Sequence, residues 1–146
     1  MFFIRFDGEK FQEAELSSFE HYESKLANYR EKGLVTGCSS DKICGIKTEI
    51  IDMTTLKWSS RPDYTFASVE AENEKSFIYG YSTISVDDAA FIIGGWGNEN
   101  TITEFRDDHW RKHGSLQQRR LNHDSIAYEK QIMIIGGWKN YDDIDL

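Results

Sequence analysis

The stretch AFIIGGWGNENTITEF, residues 90–105, decides the fold of this 146-residue chain. Four apolar residues run into Gly-Gly-Trp, a polar loop follows, and an alternating segment comes next. A short apolar run that ends in glycine predicts a buried strand with a sharp exit. Residues 132–146, IMIIGGWKNYDDIDL, start in the same way. A recurring apolar-glycine pattern indicates a repeat architecture.

The glycine signal sets the period of the repeat. Gly94 and Gly95 recur as Gly136 and Gly137 after 42 residues. A weaker form of the pattern, GLVTGC, contains Gly37, which precedes Gly94 by 57 residues. A serine in a strand-like segment precedes each mark by 13, 12 and 11 residues, at Ser24, Ser82 and Ser125. We therefore take the serine segment and the glycine segment as the first two strands of each unit.

Alternating patterns and turn signals divide each unit into four short strands, A to D. Strand A carries the serine, B ends at the glycines, C is KTEIIDM or TITEF, and D carries Trp58 or Trp110. The A–B turns are YREKG, VDDAA and EKQ, and the C–D turns are DMTTLK and RDDH. A helix over residues 8–32 is the alternative for the N-terminal part, which contains good helix formers.

The N-terminal segment also fits the repeat. Phe6 and Phe11 are five residues apart, as are Phe105 and Trp110, and Asp7-Gly8 between them is a strong hairpin signal. This pattern predicts that the N-terminus supplies strands C and D of an earlier unit, with Phe11 in the tryptophan position.

These features together resemble the kelch repeat of β-propellers. The family's C–D signature is matched in TEIIDMTTLKW by Glu49, Asp52, Thr55 and Trp58, whereas isoleucine and methionine replace its aromatic residue and proline. The next unit keeps an acid, an aromatic residue and a tryptophan at Glu104, Phe105 and Trp110. The resemblance implies an all-β chain, a kelch-type β-propeller fragment built of four-stranded antiparallel blades.

The resemblance also implies the domain organisation. Residues 1–18 would supply the outer strands C and D of a first blade, 19–60 and 78–113 two blades, and 121–146 the inner strands of a truncated last blade. The structural repeat residues would be Gly37, Trp58, Gly94, Gly95, Trp110, Gly136 and Gly137. We expect Glu49 and Glu104 to pair with charges of a neighbouring blade. Because the two ends are complementary halves of a blade, two chains could associate through them.

Composition limits the classes of partner. Hydrophobic residues make up 39% of the chain and the formal net charge is −8, which favours a folded domain and argues against nucleic acid or an anionic membrane as partner. No apolar run is long enough to span a membrane and the N-terminus lacks the pattern of a signal peptide, so we expect a soluble protein whose compartment the sequence leaves open.

The two cysteines, Cys38 and Cys44, flank a short polar loop. Two ordinary thiols are the favoured interpretation, and a small-loop disulfide is the alternative for a secreted protein.

The sequence offers no catalytic constellation. His109 and His113 have zinc-like spacing, but they fall across a turn and a strand, where residues four apart need not converge, so we expect no metal. The pairs Asp87-Asp88 and Asp107-Asp108 suit turns rather than acid-base chemistry, because adjacent turn residues do not flank a bond. We expect no cofactor and no enzymatic activity.

The longer loops, B–C and D–A, share one face, and loops of this kind carry binding residues. The candidate partner-binding residues are Arg61, Tyr64, Trp96, Asn98, Arg119, Arg120 and Trp138. We expect a non-enzymatic module that binds a protein or peptide through this face. The alternative is part of a propeller enzyme, galactose-oxidase-like or glycan-acting, whose site is completed by further sequence.

Overall fold

The computed structural model describes residues 4–6, 8–38, 43–67, 69–70, 75–76 and 78–139. These residues form an all-β structure with one 3₁₀ turn, Ile43–Ile46. The strands are β1 (Ile4–Phe6), β2 (Phe11–Glu13), β3 (Leu26–Tyr29), β4 (Lys32–Thr36), β5 (Thr48–Asp52), β6 (Trp58–Arg61), β7 (Val69–Glu70), β8 (Lys75–Ser76), β9 (Ser82–Val86), β10 (Ala89–Ile93), β11 (Thr101–Arg106), β12 (His109–Ser115), β13 (Leu121–Tyr128) and β14 (Gln131–Trp138).

The strands form two antiparallel four-stranded sheets in which spatial order follows chain order. The first sheet is β3-β4-β5-β6 and the second is β9-β10-β11-β12. An N-terminal hairpin, β1–β2, precedes them and a C-terminal hairpin, β13–β14, follows them. These pairings confirm the expected A-to-D strand order. The connection between the sheets contains a short hairpin, β7–β8, that the sequence did not predict.

The helical alternative for residues 8–32 is wrong. That segment contains β2 and β3, and the described part of the chain contains no α-helix. Phe11 lies opposite Phe6 as Trp110 lies opposite Phe105, which confirms the register proposed for the N-terminal hairpin. No helix among the described residues has the length and apolar character needed to cross a membrane.

Tight turns with left-handed residues connect the paired strands. The A–B turns use Arg30-Glu31 and Glu129-Lys130, and the C–D turn of the second sheet uses Asp107-Asp108, all with φ between 47° and 66°. Two consecutive positive φ values define the hairpin turn whose twist matches that of the flanking strands. The aspartate pair at 107–108 is thus a turn-forming pair, as predicted.

Each sheet packs a face against the next unit along the chain. We call the face toward the preceding unit the leading face and the other the trailing face. The first hydrophobic cluster joins the trailing face of the first sheet to the leading face of the second and consists of Ala27, Tyr29, Leu34, Ile50, Ala90 and Phe105. The trailing face of the second sheet, around Phe91, packs against Ile132 and Ile134 of the C-terminal hairpin. The core therefore lies in the gaps between successive units.

The first strands of the three units lie side by side. Thr83 Oγ1 donates to the carbonyl of Leu26 at 3.3 Å, and Ser125 Oγ donates to the carbonyl of Thr83 at 3.4 Å. Ser85 makes the same type of bond to the carbonyl of Asn28. Because backbone carbonyls on these strands accept from side chains of the next unit, hydroxyl residues on strand A tie the units together.

The serine spacing predicted from the sequence is not the constant feature of the repeat. His123 pairs with Gly136, and continuing the other two ladders places Tyr81 opposite Gly94 and Ser24 opposite Gly37. The number of residues between the glycine and the residue opposite it is the same in every unit. Three different side chains, those of Ser24, Tyr81 and His123, lie opposite the glycine. Strand register, rather than a conserved residue type, fixes the geometry because backbone pairing ignores side-chain identity.

The expectation that Glu49 and Glu104 pair with a neighbouring unit is wrong. Glu49 is fully buried, and its carboxylate lies 3.0 Å from Nε2 of His21, in the segment that leads into its own sheet. Glu104 contacts Arg106 and Arg111 of its own sheet. Trp58 and Trp110 mark equivalent positions, opposite Ile51 and Phe105. Glu49 lies two residues before Ile51, whereas Glu104 lies one residue before Phe105. Because successive side chains of a strand point to opposite faces, the two glutamates point to opposite faces of their sheets.

Cys38 corrects the preference for ordinary thiols. Its side chain is fully buried and disulfide-bonded. The amide of Gly37 donates to the carbonyl of Lys47 at 2.9 Å, which closes the loop that follows Cys38. A closed loop brings its ends within reach of a disulfide, which requires Cα atoms less than about 7 Å apart. The side chain of Cys44 lies outside the described residues.

Candidate functional site: a cleft where three strands begin

A polar cleft of about 440 Å³ lies where the first strands of the three units begin. Its walls come from all three units and consist of Glu23, Ser24, Lys25, Tyr79, Gly80 and Asn122. Because β3, β9 and β13 lie side by side, residues far apart in sequence converge on this one opening. We call it the loop-face cleft.

In every unit, one residue at or near the start of the first strand lies opposite the repeat glycine. The residue before it has a left-handed backbone. Glu23, Gly80 and Asn122 have φ values of 58°, 63° and 50°, and each lies immediately before Ser24, Tyr81 or His123. Asparagine and glycine adopt this conformation readily, whereas glutamate rarely does. The backbone bend directs each chain into its strand from the same side, which brings the three positions together.

Hydrogen bonds between units hold the cleft walls in place. The amide of Asn122 donates to the carbonyl of Gly80 at 2.7 Å, and the amide of Lys25 donates to the hydroxyl of Tyr81 at 3.1 Å. A Cβ on Gly80 would lie 2.9 Å from Asn122 Oδ1, closer than real contacts allow. The Tyr81 hydroxyl in turn donates to the carbonyl of Thr36, and burial raises its pKa to about 12, so it stays a donor. The inner side of the cleft is therefore hydrogen-bonded across the units that form it.

An aromatic pair stands beside the cleft. Tyr79, which lines it, stacks on Trp96 with ring centroids 6.2 Å apart and an interplanar angle of 23°. The amide of Trp96 also donates to the carbonyl of Tyr79 at 2.8 Å. The backbone bond and the stacked rings fix the indole of Trp96 against the wall.

The cleft offers charge and hydrogen bonds rather than reacting groups. Glu23 and Lys25 are exposed and of opposite sign, and Asn122 supplies an amide. The hydroxyl of Ser24 donates to the carbonyl of Gly37, an acceptor that cannot activate it as a nucleophile. Within the described residues, no group of three or more His, Cys, Asp or Glu side chains could hold a metal ion.

His123 lies behind this wall, between the second sheet and the C-terminal hairpin. The ring is buried and lies against the backbone of Ile93, a contact that favours the protonated form. Its pKa is lowered, chiefly by burial and secondarily by the positive charge of Arg120. Burial disfavours the charged imidazolium.

Two candidate partner-binding residues are inside the fold. Tyr64 is 1% exposed, packs edge-to-face on Trp110 and shares a hydrogen bond with the Thr103 hydroxyl at 3.1 Å. Asn98 is 4% exposed, and its amide nitrogen donates to the carbonyls of Gly94 and Thr101, both at 3.1 Å. Their side chains stabilise the sheet contact and the B–C loop and are not presented to a partner.

The other five candidates lie nearer the surface, and all but Arg61 belong to or border B–C and D–A loops that contact one another: the amide of Gly95 donates to the carbonyl of Arg120 at 2.9 Å. Arg61, the last residue of β6, contacts Asp108 in the C–D turn of the second sheet at 3.1 Å. Arg119 is exposed and pairs with Glu99 at 2.9 Å, while Arg120 donates to the carbonyl of Gly136 at 2.7 Å. Trp138 pairs with Leu121 at the end of the C-terminal hairpin, and Trp96 stands beside the cleft.

The predicted structural glycines all have positive φ: Gly37, Gly94, Gly95, Gly136 and Gly137. The close approach is tightest at Gly37, where a Cβ would lie 2.4 Å from Cγ2 of Ile78, and a Cβ on Gly95 would lie 2.6 Å from Cβ of Tyr81. Trp110 lies between the sheets, and Trp58 donates from Nε1 to the carbonyl of Glu15 at 2.8 Å. Each tryptophan thus joins its sheet to the preceding segment.

The two histidines with zinc-like spacing have separate surroundings. Nδ1 of His113 lies 3.3 Å from the carboxylate of Glu104, and Nδ1 of His109 lies 2.6 Å from the carbonyl of Asp107. The ladder between β11 and β12 shifts at Ile102/Thr103, so simple alternation does not extend along the whole of β12.

The sequence did not single out Glu23, Lys25, Tyr79 and Asn122. Register identifies Glu23 and Asn122, which, like Gly80, each precede by one residue the position opposite the repeat glycine, whereas Lys25 and Tyr79 only lie near such a position. The three serines used to align the units do not occupy equivalent positions, so an alignment on them does not show this relationship.

No protein-family model matches this chain, and no curated protein matches it. Among solved structures, the chain is similar to the structure of YjhT, with a TM-score of 0.72 and 18% sequence identity. The similarity covers 96% of this chain and 46% of that chain, so this chain spans less than half the length of YjhT. At this identity the likeness concerns the fold alone.

Proposed function

We propose that this chain is part of a kelch-type β-propeller and binds a peptide segment of a protein partner in the loop-face cleft, without catalysis. Three features support the propeller arrangement: the sheets stack face to face, their first strands adjoin, and Trp110 fills the gap between them. The observation that carries the binding proposal is the convergence of Glu23, Gly80 and Asn122 from three units on one cleft.

The chemistry of the cleft favours a polar, charged peptide. Lys25 can pair with a carboxylate and Glu23 with a basic side chain, while Asn122 can bond to a peptide backbone. Trp96 and Tyr79 add a rigid aromatic surface at the edge, and aromatic residues are common anchors of binding energy.

Selection from a phage-displayed library of random peptides tests this function. We expect enriched peptides that carry both an acidic and a basic residue. Replacing Glu23 and Lys25 together by alanine should weaken the binding of these peptides at least tenfold, which corresponds to about 1.4 kcal/mol. The matched control is the Glu9→Ala, Lys10→Ala variant, which removes one exposed acid and one exposed base from the N-terminal hairpin.

The control variant should bind like the parent chain. Failure to enrich any peptide, or equal binding by the cleft variant, would reject the proposal. Both double variants change only exposed side chains, so near-unchanged stability is expected and can be checked by thermal unfolding.

The stacked aromatic pair favours a second candidate, part of a galactose-oxidase-like or glycan-acting propeller enzyme. Stacked rings beside polar groups also suit a sugar. A glycan array separates the two: saturable sugar binding that is lost in the Tyr79→Ala variant, without peptide enrichment, would favour the enzyme. Stoichiometric copper in a longer form of the protein would do the same.

A further inference from the structure

The trailing face of the C-terminal hairpin is bare and apolar. Its side chains Ile126, Tyr128, Met133 and Ile135 are 45%, 60%, 45% and 58% exposed. In the second sheet, the equivalent face is covered by the unit that follows it. A cluster of four large apolar side chains on one hairpin face marks an interaction surface.

A second bare surface lies at the other end of the chain. The leading face of the first sheet is covered on its outer strands, where Arg5 of the N-terminal hairpin donates to the carbonyl of Met53. Over its inner strands lies an open cleft of about 380 Å³ bordered by Leu26, Gly33 and Met53, and Leu26 is 48% exposed.

Each hairpin also has one strand edge that no other described strand pairs with. Both complete sheets pair their second strand with their third, β4 with β5 and β10 with β11. Within the described residues, β14 pairs only with β13 and β1 only with β2. Unpaired edges are templates for pairing with another strand.

We propose that a second copy of this chain covers both surfaces. In a two-fold dimer, the C-terminal hairpin of each copy completes a four-stranded sheet with the N-terminal hairpin of the other. This composite sheet places its trailing face on the partner's first sheet. With two complete sheets per copy and one composite sheet at each junction, the ring closes at six sheets.

The contact already made between the two complete sheets indicates how Tyr128 would fit. Tyr29, which ends strand A of the first sheet, packs edge-to-face on Phe105 at 5.0 Å, and its hydroxyl accepts from the amide of Asp107 at 3.1 Å. Tyr128 occupies the same position in the C-terminal hairpin. The positions equivalent to Phe105 and Asp107 in the first sheet are Ile51 and Met53, and Met53 borders the open cleft.

The pairing register follows from the complete sheets. Leu34 pairs with Ile50, and Phe91 pairs with Glu104. The equivalent residues of the two hairpins are Met133 and Arg5, so Met133 should lie opposite Arg5 of the partner subunit. Arg5 already contacts the first sheet of its own chain through Met53, which is the side the composite sheet would cover.

Turn charges make a sharper test. Lys130 pairs with Asp87 at 3.3 Å across the junction between the second sheet and the C-terminal hairpin. At the dimer junction, the equivalent residues are Glu129 and Glu31 of the partner subunit, two like charges. Replacing Glu31 by lysine should therefore tighten the dimer. The backbone tolerates this change, because Lys130 has φ 66° where Glu31 has φ 62°.

Light scattering during size exclusion, with sedimentation velocity from about 1 to 200 μM, tests the proposal. We expect a mass twice the 17.0 kDa of one chain. Tyr128→Ala should shift the protein to monomer, and Glu31→Lys should lower the dissociation constant severalfold. The matched control is Tyr22→Ala, which removes a tyrosine that is 66% exposed and lies outside the junction. A monomer at every concentration, or open-ended oligomers, would overturn the dimer.

Disulfide trapping tests the register independently. Mixing Arg5→Cys chains with Met133→Cys chains should give a mixed cross-linked dimer under mild oxidation, whereas Arg5→Cys with Ile135→Cys should not. Equal cross-linking of the two pairs would refute the register. Neither outcome depends on what the loop-face cleft binds, because the junction residues lie outside that cleft.

Discussion

The indole Nε1 of Trp110 donates a hydrogen bond to the hydroxyl of Thr48, 3.2 Å away in the other four-stranded sheet. The same ring packs against Tyr64 and Phe105, with centroid distances of 5.0 and 4.8 Å. One side chain on an outer strand thus connects both sheets and the segment between them. Contacts that cross the gap hold the units together, because a single sheet cannot bury both of its faces.

Trp110→Ala should destabilise the protein by about 3 kcal/mol, since it removes a large aromatic side chain from the gap. Trp110→Phe should cost less, about 1 kcal/mol, because it keeps most of the packing and loses the hydrogen bond. Equilibrium urea unfolding at fixed protein concentration measures both. Leu16→Ala, which truncates a side chain that is 63% exposed, is the control and should change stability by less than about 0.5 kcal/mol.

The buried pair of His21 and Glu49 gives a second prediction. The carboxylate also accepts from the amides of Ser18 and Phe19 at 3.1 and 3.2 Å, so it anchors the whole segment before β3. His21→Ala should cost about 3–5 kcal/mol because it leaves a buried carboxylate without its partner. A double-mutant cycle with Glu49→Gln should show strong coupling. Additive losses in that cycle would mean that the pair does not act as a unit.

The lowered pKa of His123 predicts acid sensitivity. At neutral pH the ring is uncharged in both the folded and the unfolded chain. As pH falls below the ordinary histidine value of about 6.5, the unfolded chain binds the proton first, so folding stability decreases. Arg120 disfavours the proton and Asp124 favours it, with burial the dominant cause. The free energy of unfolding should fall with decreasing pH by at most about 1.4 kcal/mol per pH unit for this one group.

Urea unfolding between pH 7 and 5 measures that slope. The His123→Gln variant should flatten it because glutamine does not titrate. An unchanged slope in the variant would assign the acid sensitivity to other groups.

The disulfide at Cys38 predicts that the oxidised protein has no thiol that reacts with an alkylating reagent under denaturing conditions. Reduction should lower stability by about 2–4 kcal/mol, because it releases a constraint on the unfolded chain. Mass spectrometry after alkylation detects the thiols. Cys38→Ser should expose one reactive thiol per chain, whereas two alkylated cysteines without reductant would contradict the bond.

Much of the strand order could be predicted from the sequence. The apolar runs into Gly94 and Gly136 mark strands β10 and β14, and alternating segments mark the strands around them. These signals are local: a strand buried on both faces is apolar throughout, and a tight turn needs residues that accept a left-handed backbone.

The candidate site was less predictable. Tyr64 looked like a loop residue available for contact, yet it is buried because the connection folds back between the sheets. Glu23 and Asn122 carried no signal as residue types, because their importance lies in a shared backbone position.

The sequence by itself determined the order of the strands within the repeat units, though not the additional hairpin β7–β8, since alternation and turn chemistry act over a few residues. Only the tertiary structure decided which side chains meet across the gaps. Glu49 and Glu104 look alike in sequence, but a shift of one residue sends them to opposite faces. Burial and partnership depend on which faces pack together, and packing joins residues that local sequence keeps far apart.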